Sequence, residues 1–518
     1  MVQYVQLGKD TFSTLVALRQ QIENLRSIFV KEISISNFRC FPVVNNENGA
    51  LKISFNTPSG EKGSGLTVLL GENNSGKSTV LRAIELFSTD DETLDDMLAR
   101  HELNASYVND LTKGAEIHLN TSKGKLYLKT INDSEKLEWQ CDNKNLKEEF
   151  KYSRIYNLCG PRRFLEALLN TRHSDVFRSG PASSRLECPR AEKIFRTKVY
   201  RGNGRDGESK LIEKTSCGRS LPAAQLGSGD LQFRHIENRI PDNDETSEKM
   251  DTCHLFLLDE PETCLHPKAI QALVDMLWEA SAKVQIILAS HSPVLIEAVY
   301  NKAKGAYDEA EKKAMVKKPA SLPIGLVFPR SNPFASLPRD PEPKYGRKPE
   351  DYFRILSKNP AGIIRAQLAE PFLLNPVSAD EINYCAFGYT SENYFVQLYD
   401  TLKYKWAQLR GEEELRQKDM DKMFNEKSYS LDQDATVEQG GKNISIKETI
   451  FTYQRNALVH PTNTSRKFKP DKLEWCIAEL RKLLSEANSE AVSSAEKSTA
   501  SSQASRLETG KNTDQNQT

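Results

Sequence analysis

The sequence predicts an α/β domain with mixed β-sheets and a phosphate-binding P-loop, followed by a mainly helical C-terminal domain. Three observations support this prediction. Leu66–Leu70 is a short apolar run of strand formers that leads directly into a glycine-rich loop and then a helical pattern. A second apolar run, Leu255–Leu258, ends in two carboxylates. From residue 349 to residue 486, amphipathic helical patterns predominate.

The glycine-rich loop has the residues of a nucleoside triphosphate site. Residues 71–78, GENNSGKS, match G-x-x-x-x-G-K-[ST] at every fixed position. The two glycines let the backbone turn so that its N–H groups face an anion, and the following helix start adds unpaired N–H groups. Lys77 is expected to reach the β- and γ-phosphates, and the Ser78 hydroxyl to hold Mg²⁺. The residues expected to contact ATP in this loop are Gly71, Asn73, Asn74, Ser75, Gly76, Lys77, Ser78 and Thr79.

Composition narrows the class of protein. The chain has 518 residues, and Lys plus Arg and Asp plus Glu both number 71. The balanced net charge therefore gives no reason to expect nucleic-acid binding over the whole surface. The Arg-rich stretch 160–205 leaves two readings open, a solvated surface or a local nucleic-acid or phosphate-facing one. The nine cysteines contain no C-x-x-C pair, which predicts reduced thiols in a cytoplasmic protein. Without a membrane-length apolar run or a signal-peptide pattern, we expect no membrane association.

The strand patterns predict an antiparallel layer beside a parallel sheet. Residues 1–27 are interpreted as an N-terminal extension. Val30–Phe41 and Leu51–Phe55 alternate apolar and polar residues ahead of the loop. Glu116–Trp139 alternates likewise, and Thr121–Gly124 within it predicts a hairpin turn.

Carboxylates and a histidine follow two further predicted strands. The apolar run before Asp259 delivers that residue and Glu260 at a strand end, where they suit a Mg²⁺ ligand and a base for an attacking water. Val284–Ala289 is a second buried strand, and His291 follows it. A histidine at that strand end would sense or position a γ-phosphate. The stretch LGSGDLQ, residues 226–232, is a weak signal alone and gains weight from its place between the other motifs.

In this order, the motifs resemble the ABC-type ATPase head of the RecF, SMC and OLD families. NFRCF at 37–41 is similar to their opening strand, and the Lys77 loop to their Walker A motif. LGSGDLQ resembles their signature motif, LFLLDE at 255–260 their Walker B motif, and ETCLHP at 262–267 their D-loop. His291 falls on their switch histidine. The resemblance covers residues 28–300, but no convincing Q-loop glutamine is present, since Gln140 is poorly placed.

The resemblance implies a composite catalytic site. Two heads would sandwich two ATP molecules, with Ser228 and Gly229 of one head facing the γ-phosphate held by the other. Glu260 and His291 would be catalytic, and Asp259 would join the Ser78 hydroxyl on Mg²⁺. A homodimer or a higher homo-oligomer is therefore expected, closed by ATP binding and opened by hydrolysis.

The second half of the chain is predicted to be a linker, a helical domain and a tail. Residues 301–348 are rich in Pro and Lys and are interpreted as a linker, and residues 487–518 as a disordered tail. Between them, residues 349–486 are predicted to be a helical, HEPN-like or partner-binding domain. Ser445–Val459 and Asp471–Leu484 are its amphipathic helices.

Arg455 and His460 are similar to the R-x(4–6)-H motif of HEPN domains, which often cleave RNA without metal. On a continuous helix the two residues would lie about 140° apart. Pro461 disfavours helix at His460, so the chain can break there and turn the imidazole back. In a dimer, His460 would act as a base near a ribose 2′-OH and Arg455 would bind the phosphate. The alternative is that both residues cap a helix C-terminus in a dimerisation domain.

The run EINYCAFGYTSENYFVQLY, residues 381–399, followed by RNALVHP, also resembles the C-terminal half of Septu-type and retron-associated anti-phage ATPases. That resemblance implies a regulatory scaffold that binds an HNH nuclease subunit, with a reverse transcriptase and its msDNA as further candidate partners. Three functions stay open. They are an ATP-hydrolysing subunit that regulates a nuclease effector, an autonomous ATP-gated HEPN-type ribonuclease, and a RecF-like DNA-repair ATPase.

Overall fold

The structure, a computed structural model, describes residues 28–42, 51–88, 114–133, 136–141, 143–151, 155–159, 189–196, 198–203, 209–214, 220–222, 228–240, 254–316, 347–358, 364–365, 372–439, 442–460 and 465–491. The predicted N-terminal extension and most of the Arg-rich stretch and the tail lie outside these ranges. The chain divides into two compact units, Met1–Ala369 and Glu370–Thr518. No helix in the described ranges is long and apolar enough to cross a bilayer.

The first unit is built from mixed strands and helices, as the predicted α/β fold requires. Its described strands are β1 (Val30–Ser36), β2 (Leu51–Ser54), β3 (Leu66–Leu70), β4 (Glu116–Thr121), β5 (Lys125–Asp133), β6 (Lys136–Cys141), β7 (Ile155–Cys159), β8 (Lys198–Asn203), β9 (Ser209–Lys214), β10 (Ser220–Pro222), β11 (Leu255–Asp259), β12 (Gln285–Ala289), β13 (Phe353–Ile355), β14 (Ser357–Lys358) and β15 (Ile364–Arg365). Its described helices are α1 (Lys77–Leu86), α2 (Lys144–Lys151), α3 (Pro189–Phe195), α4 (Ser228–Arg239), α5 (Pro267–Ala280) and α6 (Pro293–Val316).

An antiparallel sheet of five strands, in the order β2-β1-β4-β5-β6, confirms the predicted antiparallel layer. The alternating residues of β1 turn Ile33 and Ile35 into the core, where both are buried. The predicted hairpin turn is also present, since Thr121 N–H donates to the carbonyl oxygen of Gly124 over 2.8 Å.

A second sheet of five strands, in the order β13-β3-β12-β11-β7, is entirely parallel. Every residue of β3 and β12 is buried, which explains why their sequences are apolar except for Thr67 and Gln285. Because neighbouring parallel strands end at one edge, this sheet brings the loops after β3, β11 and β12 together.

The predicted linker differs from the structure at both of its ends. Helix α6 continues to Val316, so residues 301–316 are helical. Within this part of the predicted Pro- and Lys-rich linker, Ala303 is buried, whereas Lys304 and Lys313 are exposed on the solvent side of the helix. At the other end, β13 pairs with β3 in the first unit, with Phe353 opposite Val68, although the sequence predicts that the helical domain begins at residue 349. A strand of three residues is too short to show a period.

The second unit is mainly helical, as predicted. Its described helices are α7 (Ala379–Phe387), α8 (Glu392–Arg410), α9 (Gln417–Glu426), α10 (Ile450–Val459) and α11 (residues 473–491). A hairpin of β16 (Gln433–Gln439) and β17 (Lys442–Glu448) lies between α9 and α10. The aromatic core includes Phe424 and Phe451, whose stacked rings have centroids 4.6 Å apart.

The helix predicted over Ser445–Val459 begins only at Ile450. Residues 445–448 belong to β17, and the Thr449 side chain caps α10 by accepting from the N–H of Thr452. Ile446 fits a helical face in the sequence, but it also alternates with polar neighbours, and pairing with β16 decides in favour of the strand.

Candidate nucleotide site

The loop between β3 and α1 has a backbone that requires its glycines. Gly71 has φ 148° and Gly76 has φ 93°. A Cβ atom on Gly71 would lie 2.3 Å from the carbonyl oxygen of Leu356, and one on Gly76 would lie 2.7 Å from Cζ of Phe41. The loop is therefore closed in from two sides, by the chain after β13 and by the turn after β1.

The inside of this loop fits an anion. The Lys77 ammonium donates to the carbonyl oxygens of Gly71 (2.7 Å) and Glu72 (2.9 Å), which holds the positive charge within the loop. The Ser75 hydroxyl oxygen is buried and has no hydrogen-bond partner among the described residues. A buried, unsatisfied hydroxyl is costly, and a phosphate oxygen bound there would satisfy it.

Asp259, at the end of β11, is held beside the loop by a hydrogen bond from the Ser78 hydroxyl. Burial raises the pKa of Asp259, while the Ser78 bond and the charges of Lys77 and Arg39 oppose that rise. Burial also disfavours the charged form of Lys77 and so lowers its pKa. The negative charges of nearby carboxylates oppose this fall, and that of Glu260 opposes it most.

The residues present fit a Mg²⁺ ion bound with a nucleotide. No group of three or more His, Cys, Asp and Glu side chains in the described ranges could hold a metal ion by itself. Mg²⁺ in nucleotide sites instead takes one or two protein oxygens and completes its shell with phosphates and water. Ser78 and Asp259 are such a pair.

Glu260 and His291 meet at the ends of β11 and β12. Their closest atoms, Glu260 Oε1 and His291 Nδ1, are 2.8 Å apart, and the side chains are 30% and 48% exposed. Glu260 has φ 50°, and its N–H donates to the carbonyl oxygen of Ala289 over 2.9 Å. Glu260 is therefore fixed at its backbone, and both side chains of the pair are partly open to solvent.

Helix α4 begins at Ser228, as the signature-motif resemblance implies. A Cβ atom on Gly229 would lie 2.4 Å from the carbonyl oxygen of Cys264, so the start of α4 packs closely on the segment after Glu260. Gln232 Nε2 donates to the carbonyl oxygen of Pro261 over 3.2 Å. Residues 226 and 227 of the motif lie outside the described ranges.

The other residues predicted for the site are distributed as follows. Asn73 and Asn74 are exposed in the loop, and Thr79 is buried in α1, where its hydroxyl lies 3.5 Å from the Cys40 sulfur. Gln140 lies in β6, the edge strand of the antiparallel sheet, in register with Lys129.

Sequence reasoning missed two contacts of the site. Leu356, which lies against Gly71, contributes only a backbone oxygen, and no residue pattern signals that. Glu262 lies within the D-loop motif, yet nothing in the motif indicated that its carboxylate accepts from the Ser290 hydroxyl.

In the second unit, Arg455 and His460 lie at the end of α10. Arg455 Nη2 is 3.4 Å from Asp400 Oδ1 of α8, and its guanidinium lies 5.9 Å from the centroid of the Tyr399 ring. His460 is exposed and follows the last helical residue, with φ −121° and ψ 64°. The helix therefore ends where Pro461 predicts.

Comparison with known proteins supports the ATPase assignment. Residues 29–160 match a family model described as an AAA ATPase domain. Residues 172–297 match a model described as an AAA domain, putative AbiEii toxin, Type IV TA system. No protein with a curated function matches the chain.

Solved structures of SMC heads also match, with little sequence identity. The SMC head domain from Thermotoga maritima has 12% identity and a TM-score of 0.33, over 52% of this chain and 92% of that chain. An Smc head domain with an extended coiled coil, bound to the C-terminal domain of ScpA and derived from Pyrococcus furiosus, has 10% identity and a TM-score of 0.35, over 52% and 92%. Scores this low do not establish a common fold. The matches to the two family models show that residues 29–160 and residues 172–297 are similar in sequence to domains of the AAA type.

Proposed function

We propose that the first unit binds ATP with Mg²⁺ and hydrolyses it. The observation that carries the proposal is the Glu260–His291 pair, 2.8 Å apart, at the same sheet edge as the Lys77 loop. A loop that only bound phosphate would need neither residue. The family models matched by residues 29–160 and 172–297 support an ATPase domain.

Each residue has a distinct part in this reaction. Lys77 and the loop N–H groups would bind the β- and γ-phosphates. Ser78 and Asp259 would hold Mg²⁺, which would supply positive charge to neutralise the phosphates. Glu260 accepts the proton of the attacking water. His291 bonds to the Glu260 carboxylate and keeps it turned toward that water.

The test is ATP hydrolysis by the purified chain carrying Glu260→Gln. Phosphate release should fall by about 100-fold to 10,000-fold, the contribution typical of a general base, while ATP affinity is retained. Glu309→Gln is the matched control, because Glu309 is an exposed glutamate whose ion-pair partner, Lys313, lies one turn along the same helix. Unchanged hydrolysis in Glu260→Gln would remove Glu260 from the mechanism.

We further propose that this ATPase is a subunit of a bacterial anti-phage system that controls a nuclease effector. A second copy of the chain would complete each ATP site with Ser228 and Gly229. One observation supports the composite site, and another supports the cellular role. Helix α4 begins at Ser228, and helix starts favour anions. The family model matched by residues 172–297 is described as a putative toxin of a toxin–antitoxin system.

This wider role is tested in cells. Lys77→Ala should abolish protection against phage, and a nuclease polypeptide, of HNH type under this proposal, should co-purify with the chain. A homo-oligomer should form or tighten with ATP in a Glu260→Gln background. Protection that survives Lys77→Ala would refute the proposed role.

An autonomous ribonuclease is the second candidate, and the observation that favours it is the break of α10 at His460. The break leaves the imidazole exposed beyond the helix, as an R-x(4–6)-H site would need. The ion pair of Arg455 with Asp400 favours the structural role instead, because it occupies the guanidinium that would bind phosphate. Under the ribonuclease hypothesis the chain alone should cut RNA, and His460→Ala should stop cleavage without changing oligomer size.

A further inference from the structure

A buried carboxyl group, Glu262, lies two residues beyond Glu260 and has no part in the reaction described above. The residue is only 6% exposed. Its Oε1 accepts a hydrogen bond from the Ser290 hydroxyl over 2.5 Å, and its Oε2 has no partner among the described residues. Burial raises the pKa of Glu262. A carboxyl group at such a site costs stability, so its presence calls for a reason.

Ser290, the partner of this carboxyl, holds the start of the loop that carries His291. Its N–H donates to the carbonyl oxygen of Leu69 in β3 over 3.0 Å. Its hydroxyl oxygen accepts from the N–H of Ser292 over 3.0 Å, which closes a small turn around His291. The serine is completely buried. The backbone is therefore held before His291 by the Ser290 N–H and after it by the Ser290 hydroxyl.

The segment that carries Glu262 is equally constrained. Glu260 and Cys264 both have positive φ, at 50° and 67°. The N–H of Thr263 donates to the carbonyl oxygen of Glu260, and that of Leu265 donates to the carbonyl oxygen of Glu262, over 3.1 and 3.0 Å. The tight turns put Glu260 at the surface of the site and Glu262 beneath it.

Two side-chain bonds thus join the same two loops, one exposed and one buried. The Glu260–His291 pair is half-exposed, so water screens it, and on its own it holds the two side chains only weakly. The Glu262–Ser290 bond is shielded from water, where a hydrogen bond is stronger and its loss leaves a buried polar group unsatisfied.

We infer that Glu262 is a positioning residue for ATP hydrolysis, which sets the distance between Glu260 and His291 through Ser290. The inference rests on the proposed ATPase activity. Loss of the buried bond would let the His291 loop move relative to Glu260. A misplacement of about 1 Å in a catalytic constellation can cost about 100-fold in rate.

The test compares Glu262→Ala, Glu262→Gln and Ser290→Ala in steady-state ATP hydrolysis and in equilibrium ATP binding. Glu262→Ala and Ser290→Ala should each lower kcat by about 100-fold while the Kd for ATP changes by less than about threefold. Glu262→Gln should restore most of kcat, because its amide oxygen accepts from the Ser290 hydroxyl as the carboxylate does. The double variant Glu262→Ala/Ser290→Ala should be no slower than Ser290→Ala, because Ser290→Ala already removes the bond to Glu262 together with the bond from the Ser292 N–H.

The outcomes separate the inference from the function on which it rests. If the wild-type chain hydrolyses ATP and Glu262→Ala matches it, or if Kd rises with kcat unchanged, the positioning role is refuted and the ATPase stands. Glu262→Gln as slow as Glu262→Ala also refutes it. If the wild-type chain does not hydrolyse ATP, both the positioning role and the proposed ATPase activity are refuted. Thermal unfolding of each variant shows whether a loss of rate reflects a loss of fold. If Glu262→Ala fails to fold, the rates of the conservative Glu262→Gln and Ser290→Ala variants still test the positioning role.

Discussion

Gly71 is predicted to be the least tolerant of a side chain among the described glycines of the first unit. In Gly71→Ala, the new Cβ would lie 2.3 Å from the carbonyl oxygen of Leu356 and 2.5 Å from the Ser75 hydroxyl oxygen. The first contact is with backbone, which is pinned because the N–H of Leu356 donates to the carbonyl oxygen of Leu70 over 2.8 Å. Either that bond breaks or the phosphate-binding loop moves.

Gly60 provides the matched control in the same unit. It also has positive φ, 89°, but no atom of the described residues lies within 4 Å of its ideal Cβ position. Gly60→Ala should therefore cost only the backbone strain, about 1–3 kcal/mol. Gly71→Ala should add about 1–3 kcal/mol for overpacking and about 1 kcal/mol for the hydrogen bond.

Chemical unfolding followed by a probe in the first unit, together with ATP binding, measures both effects. Gly71→Ala should unfold at clearly lower denaturant than Gly60→Ala, and its ATP affinity should fall by about tenfold or more, since each 1.4 kcal/mol of lost binding is tenfold. Gly60→Ala should bind ATP normally. Equal stability and equal ATP affinity in the two variants would refute the proposed close packing of the loop against Leu356.

Two further predictions concern buried charges. In the second unit, Arg466 holds Glu448 through two bonds of 2.7 and 2.9 Å, with both side chains almost fully buried, so Arg466→Met should cost about 3–5 kcal/mol of unfolding free energy. The exposed pair of Lys427 and Glu486 is the control, and Lys427→Met should cost less than about 1 kcal/mol of unfolding free energy. Equal losses of unfolding free energy in the two variants would contradict the stabilising role of the buried Arg466–Glu448 pair. In the first unit, burial raises the pKa of Glu262 from its ordinary 4.5, so the folded state keeps that proton to higher pH than the unfolded chain does. The stabilisation from this proton is complete below pH 4.5 and is lost as pH rises through the raised pKa of Glu262. Because Glu262→Gln has no such proton to lose, its thermal unfolding midpoint should fall less than that of the wild type as pH rises from 4.5 through the raised pKa. Identical pH profiles of the two proteins would contradict this prediction.

The central part of the fold follows from the sequence because its signals are local. The β3 strand, the loop and α1 form one continuous motif, and four of the five residues of β12 are apolar, so their types could be predicted. The parallel sheet follows as well, since strands that alternate with helices are joined by crossovers. Convergence of Lys77, Asp259, Glu260 and His291 at one edge of the sheet is a consequence of that topology.

What the sequence could not show depends on contacts between distant segments. The pairing of β13 with β3 joins Phe353 to Val68 across the predicted linker, and three residues carry no periodic signal. In the second unit, Ile444 and Ile446 fit a strand as well as a helix, and only pairing with β16 decides between them. The buried bond between Glu262 and Ser290 likewise joins residues separated by 28 positions, and neither residue type is unusual at a surface.

The central claim is that the loops after β3, β11 and β12 form one ATP-hydrolysing site. Its most direct test measures equilibrium ATP binding and phosphate release by the full chain with Mg²⁺, in the wild type, Lys77→Ala and Glu260→Gln. We predict binding and release by the wild type, little of either by Lys77→Ala, and binding with almost no release by Glu260→Gln. Phosphate release that is equal in all three proteins, or a wild-type chain that binds no ATP, would contradict it.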